Sequence, residues 1–236
     1  MCVPNRSHPT ARSRPYPPLC GPCHPRAVDE DGLDLAKRSS LVARLFDGLG
    51  KSAPGALVEL RGSLAEAGGG DRFSDIDLRL SVPGEEFESG LRRIHRTLDD
   101  IEAVRLFRLD PDAAPTSYSR LLYALFRDVP LFWRLDLEVV ATPPLPSPEA
   151  APFEGPWSRP VSALIIALAA TKAAARGDDL RARELLCRGF ERIGEPLPTA
   201  PTVDQVRALA DACTRHDPSV EDLADQVVGW SRLLRV

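Results

Sequence analysis

Asp71-Arg72-Phe73-Ser74-Asp75-Ile76-Asp77-Leu78, preceded by Leu60-Arg61-Gly62-Ser63-Leu64, is the stretch on which the reading of this chain turns. From Asp75 to Ser81 the residues Asp75, Asp77 and Arg79 alternate with Ile76, Leu78 and Leu80, the period of a half-buried strand. Ala56 to Leu60, after Pro54-Gly55, reads as a neighbouring strand. Two residues apart on a strand, Asp75 and Asp77 point to one face, with Cα atoms about 7 Å apart. Two carboxylates so placed repel unless a cation sits between them. Hard oxygen ligands suit Mg²⁺, which takes one or two carboxylates and fills its shell with phosphate and water. The Gly62-Ser63 turn offers backbone N–H groups and a hydroxyl to phosphate oxygens, and only glycine lets a backbone approach that closely. Together these parts describe a site for a metal-bound nucleoside triphosphate.

A third acid would complete a cation cage. In Trp133-Arg134-Leu135-Asp136-Leu137-Glu138-Val139-Val140, Asp136 and Glu138 share one strand face while Leu135, Leu137 and Val139 share the other. Residues 120–126 and 131–140 face each other across Arg127-Asp128-Val129-Pro130 and read as a hairpin. Leu33, Leu41, Val42, Leu45, Phe46 and Leu49 recur at helical spacing, as do Phe87, Leu91, Ile94 and Leu98 within residues 85–99. Val104 to Leu109 is a further strand. After a proline-rich connector, residues 143–160, four helices are expected at 161–176, 179–193, 203–214 and 220–234, with Gly177-Asp178 closing the first and capping the second. The expected organisation is a tail (1–27), an α/β domain (28–142), the linker (143–160) and a helical domain (161–236). The fold class is α/β, more strictly α+β, with a helical bundle behind a sheet.

Composition narrows the function classes. Thirty Lys and Arg against 34 Asp and Glu leave a net charge of -4, which argues against a general nucleic-acid or anionic-membrane binder. The longest apolar run, Ala163 to Ala170, is far shorter than the roughly 20 residues that cross a bilayer. Five scattered cysteines do not make a disulfide scaffold, so a reducing cytoplasm is expected. The tail is dense in proline and arginine, has no apolar core of a secretory signal, and is expected to be disordered. Met1 is the only methionine, and a start near Val28 would keep every element of the domain. Cys20-Gly21-Pro22-Cys23-His24 in that tail lacks the strand and helix of a redox pair and the second ligand pair of a zinc site, and reads as chance.

Gly-Ser, a gap, Ser-Asp-Ile-Asp-Leu, and a later strand Leu-Asp-Leu resemble the nucleotidyltransferase superfamily with the DNA polymerase β-type palm, and most of all small bacterial members such as the kanamycin, lincosamide and minimal nucleotidyltransferases. The motifs run from about Leu57 to Val140; the helical remainder agrees in general architecture. The resemblance implies a mixed-sheet palm and a C-terminal helical bundle. It implies that Gly62, Ser63 and Ser74 bind the nucleotide, that Asp75 and Asp77 bind two Mg²⁺ ions, and that Asp136 binds the one nearer the attacking hydroxyl. Glu138 could serve as general base instead of ligand. Lys172, on the alanine-rich helix, is placed to return to the triphosphate, as lysines of related helical domains do; a solvated lysine is the alternative.

Small members carry a basic residue and a glycine soon after Gly-Ser, where this chain has Glu66 and Ala67, followed by Gly68-Gly69-Gly70, which suggests a looser loop. Arg61 or Arg72 could supply the missing charge. His95 is expected in solvent, and Cys187 and Cys213 in helix packing. The activity implied is a metal-dependent transfer of a nucleoside monophosphate, AMP from ATP, to a hydroxyl of a small molecule with release of pyrophosphate. The alternatives are the same chemistry on a protein or RNA end, as in antitoxin-type members, and a catalytically idle nucleotide binder. The sequence is silent on the acceptor and on oligomeric state.

Overall fold

Asp34 opens the first helix: its carboxylate accepts a hydrogen bond from the Ala36 N–H at 2.9 Å, and α1 runs Leu35–Gly50. The computed structural model describes residues 32–109, 116, 118–144 and 158–234. The expectations for the tail, for Cys20, Cys23 and His24, and for most of the proline-rich connector lie outside the described residues.

The fold is α+β. Five strands form one mixed sheet in the order β1-β2-β5-β4-β3, with β1 Leu57–Leu60, β2 Ile76–Pro83, β3 Val104–Leu109, β4 Ser119–Phe126 and β5 Leu135–Thr142. β1 runs antiparallel to β2, β4 antiparallel to β5, and β3 antiparallel to β4. β2 and β5 are parallel neighbours at the centre. The 120–126/131–140 hairpin is present as β4 and β5, with a 3-10 turn at Leu131–Trp133 before β5.

Alternation sets the sheet's two faces. On β2, Ile76, Leu78, Leu80 and Val82 are buried while Asp77, Arg79 and Ser81 are half-buried; β5 repeats this with Leu135, Leu137 and Val139 against Asp136 and Glu138. α1 and α3 (Phe87–Ile101) pack on β2, and α3 also on β5. Phe87, Gly90, Ile94 and Leu98, three to four residues apart, form the buried stripe of α3. Each fully buried Leu, Ile or Phe of this layer contributes about 1.5–3 kcal/mol relative to exposure.

The second half is helical: α4 Arg159–Ala175, α5 Asp179–Ile193, α6 Thr202–His216 and α7 Glu221–Trp230. Together with α1, α3 and the four-residue α2 (Gly62–Ala65), these make seven α-helices among the described residues. α4 is apolar on nearly every side and touches α5, α6, α7 and the Leu131–Trp133 turn. Phe132 joins the two halves: its ring centroid lies 5.3 Å from that of Phe73 and 5.0 Å from that of Trp230. No described helix is long and apolar enough to cross a membrane.

Boundaries shift in two places. Pro160 belongs to the first turn of α4, where its missing N–H costs nothing, and Ser158 caps that helix by accepting from the Val161 N–H. The expected helix at 220–234 is divided into a 3-10 turn at Pro218–Val220, α7, and a second 3-10 turn at Ser231–Leu234, where the Ser231 hydroxyl donates to the Val228 carbonyl at 2.7 Å. Cys213 is buried as expected, but Cys187 is only partly so, its thiol 3.4 Å from the Glu191 carboxylate. His95 is exposed, with its ring 5.0 Å from that of Phe107.

Candidate functional site

β2 and β5 bring the acids together. Asp77 and Asp136 are direct register partners on the two central strands, and Asp75 stands just before β2 begins at Ile76. Burial pushes the Asp77 carboxyl up to about 6, and the negative charges of Asp75 and Asp136 push in the same direction. The Asp136 carboxyl is also raised by burial, against the pull of Arg134. Asp77 makes no ion pair among the described residues, whereas its two neighbours are each held by a cation.

Those cations come from different parts of the chain. Lys172, on α4, places its Nζ 3.0 Å from Asp75 Oδ2, with 13% of its side chain exposed. Burial lowers the Lys172 pKa, and Asp75 opposes that shift. Arg134 grips Asp136 with two hydrogen bonds, Nε to Oδ1 and a terminal nitrogen to Oδ2, each 2.5 Å. Arg134 carries no expectation above, although it continues the Asp136, Glu138 face by one alternation step and could be found that way. Arg61, next to the Gly62-Ser63 turn, is exposed, and the Arg72 guanidinium lies 4.8 Å from the Phe73 ring centroid.

The Gly62-Ser63 turn lies against the acids. The Arg61 N–H donates to the Asp77 carbonyl at 2.8 Å, which pins the end of β1 beside β2. Gly62 then adopts φ +57°, and a Cβ built there would stand 2.1 Å from Asp77 Oδ2. No other residue fits both the left-handed backbone and the contact. Ser63 is half-buried on the same turn.

Ser74, expected at the nucleotide, is turned into the loop before β2. It is 1% exposed, and its hydroxyl donates to Asp71 Oδ1 at 2.9 Å while accepting from the Asp71 N–H at 3.0 Å. It braces the loop before β2, its hydroxyl engaged by Asp71. Asp71 also accepts from the Phe73 N–H and from both Nε and a terminal nitrogen of Arg176, which hold its carboxyl well below the usual range. Buried Arg38 of α1 donates to the carbonyls of Asp71 at 2.6 Å and Ser74 at 3.1 Å, and the Trp133 indole donates to the Arg72 carbonyl at 2.9 Å. The glycine run is not loose where it ends: a Cβ on Gly70 would lie 2.6 Å from Ser74 Oγ. Glu138 shares the Asp136 face but stands opposite Arg79 in register and pairs with it at 2.8 Å.

The donor set fits a hard divalent cation, since it is made of carboxylate oxygens and carries more like charge than burial tolerates. Among the described residues no group of three or more Asp, Glu, His or Cys side chains is spaced to hold a metal ion as it stands. Lys172 and Arg134 hold two of the three carboxylates, so a cation would have to replace them. Compared with known proteins, the chain matches no family model, no curated protein and no solved structure.

Proposed function

We propose that this chain is a nucleotidyltransferase that moves AMP from ATP to a hydroxyl of a small molecule, with the sheet as a polymerase β-type palm and α4–α7 as its C-terminal helical bundle. The observation that carries the reading is the Asp77–Asp136 register pair, with Asp75 beside it and the Gly62 backbone closed against Asp77. A lone Asp-x-Asp strand would have no reason to keep a glycine turn at van der Waals limit, nor to gather a third buried acid from another strand.

Asp75, Asp77 and Asp136 would hold two Mg²⁺ ions, which when bound lower the pKa of the acceptor hydroxyl and neutralise charge on the leaving phosphates. The acceptor oxygen bonds to the α-phosphorus as the bond to the β-phosphate bridge breaks, and pyrophosphate leaves. The Gly62-Ser63 turn cradles the phosphates through its N–H groups and hydroxyl. Lys172 exchanges Asp75 for a phosphate oxygen, a move of one flexible side chain. Asp136 or Glu138 receives the acceptor's proton. Positioning and charge supply most of the rate, so no further reactive side chain is needed.

The test is pyrophosphate release from ATP with Mg²⁺ across a panel of hydroxylated acceptors. Asp75→Asn and Asp77→Asn should each reduce turnover by at least about a hundredfold, the scale of a lost electrostatic contact to the transition state. Release at the wild-type rate in either variant overturns the assignment.

A further inference from the structure

Among the described residues Arg38 of α1 is the most deeply buried charged one, at 6% exposed. A guanidinium taken that far out of water is expected to face a carboxylate. Arg38 instead donates to main-chain carbonyls, of Asp71 at 2.6 Å and of Ser74 at 3.1 Å. Burial pulls its pKa down, and the negative charges of Asp71 and Asp75 oppose that shift. Its guanidinium carbon also lies 5.8 Å from the ring centroid of Trp133, whose indole takes the Arg72 carbonyl. Three carbonyls of the run 71–74 are thus held by side chains from α1 and from the turn before β5.

The anchoring is local. Just before this run a Cβ on Gly68 or Gly69 would meet nothing within 4 Å, and just after it comes Asp75. A loop that only had to join β1 to β2 could leave those carbonyls in water. What the burial of Arg38 adds is a fixed backbone immediately before Asp75. Arg38 also differs from the other cations of the site. Lys172 and Arg134 cover carboxylate oxygens that a metal ion would need, whereas Arg38 donates to no carboxylate among the described residues. It can stay in place when a cation binds.

We propose that Arg38 is a positioning residue for Asp75: through the Asp71 and Ser74 carbonyls it fixes that carboxylate in the arrangement that takes a divalent cation, without competing for the carboxylate's oxygens. That the cation serves a transfer reaction rests on the reading above. Partners that orient a metal's ligands from behind typically change its affinity about 10–100-fold when removed.

The sign of the effect separates positioning from simple charge. A positive charge near the site repels a metal ion, so its loss alone should tighten metal binding. Loss of the anchor should weaken it. The full chain, without nucleotide, is titrated with Mn²⁺, and the free ion is read by electron paramagnetic resonance, with the folded fraction taken from circular dichroism. Arg38→Gln should weaken Mn²⁺ binding about tenfold per folded chain. Arg38→Lys, which keeps the charge but not the two-pronged donor, should lie between it and the wild type, and carries the test if Arg38→Gln does not fold. Gly189→Ala, a packing variant of the helical half, should bind Mn²⁺ as the wild type does. Mn²⁺ held as tightly or more tightly by the folded Arg38 variants overturns the proposal. So does equal weakening in Gly189→Ala, which would trace the effect to stability alone, or no Mn²⁺ bound by the wild type. Arg38-dependent Mn²⁺ binding with no pyrophosphate release across the acceptor panel keeps the positioning role and rejects the transferase. Pyrophosphate release from a site whose Mn²⁺ affinity ignores Arg38 does the reverse.

Discussion

Asp77 carries the sharpest consequence at the scale of single residues. Its folded-state pKa, about 6, lies above the ordinary 3.8, so the folded protein holds that proton more tightly than the unfolded chain does. Stability contributed by this proton is present below about pH 4 and is lost as the pH rises through 6. In metal-free protein Asp77→Asn should therefore raise stability at neutral pH by about 1 kcal/mol once solvent screening is allowed for, seen as a higher melting temperature. The gain should vanish near pH 4; melting curves of the two proteins at both pH values test this. Gly62→Ala is expected to act differently. It forces a Cβ into Asp77 Oδ2 and a strained left-handed backbone, so it should cost about 1–2 kcal/mol and move the carboxylate. Turnover should fall well beyond what that loss of folded protein explains, as read by activity per folded molecule.

At the scale of elements the loop from Asp71 to Asp75 is the part the fold works hardest to hold. Lys172 of α4 and Arg176 at its C-cap, four residues apart, pair with two loop acids of the same spacing, Asp75 and Asp71. Arg38→Met should cost about 2–3 kcal/mol in chemical denaturation, because it leaves the Asp71 and Ser74 carbonyls unsatisfied against the core. Asp71→Asn should cost about 1 kcal/mol at pH 7, a figure kept low by the exposure of the Arg176 pair. The Asp71 pKa is depressed below 3.8, so this difference should shrink as the acid limit is approached and the wild-type carboxylate protonates. Such devices also mark what sequence could and could not convey. Asp75, Asp77 and Asp136 are legible because strand alternation is local. Arg38 sits at a helix position that reads as core, and only the folding of a loop more than thirty residues away explains a guanidinium there. Ser74 looks like a ligand within its motif, but Asp71 and Gly70 decide its burial. Lys172 could be singled out only by resemblance, since nothing near it in the chain points to Asp75.

Across the whole molecule, helices α4–α6 depend on close approach. A Cβ on Gly189 of α5 would meet Leu209 Cδ2 of α6 at 2.6 Å and Ile166 Cγ2 of α4 at 3.5 Å. Leu209 is fully buried and has little room to turn aside. Gly189→Ala should thus lower stability by about 1–3 kcal/mol by overpacking, despite the better helix propensity of alanine. Denaturant titration of the variant checks the sign.

The central position of β5 has a consequence for the order of events in folding. β5 enters between β2 and β4 and pairs in parallel with a strand made some sixty residues earlier, a non-local closure of the kind that slows folding. Before that insertion β2 presents an open apolar edge, which is an invitation to intermolecular pairing. In the same interval Asp77 has no Asp136 beside it, and the segment bearing Lys172 has yet to leave the ribosome. A nascent chain is therefore at greatest risk of aggregation while its carboxylate group is still incomplete, and both conditions end with the docking of one strand.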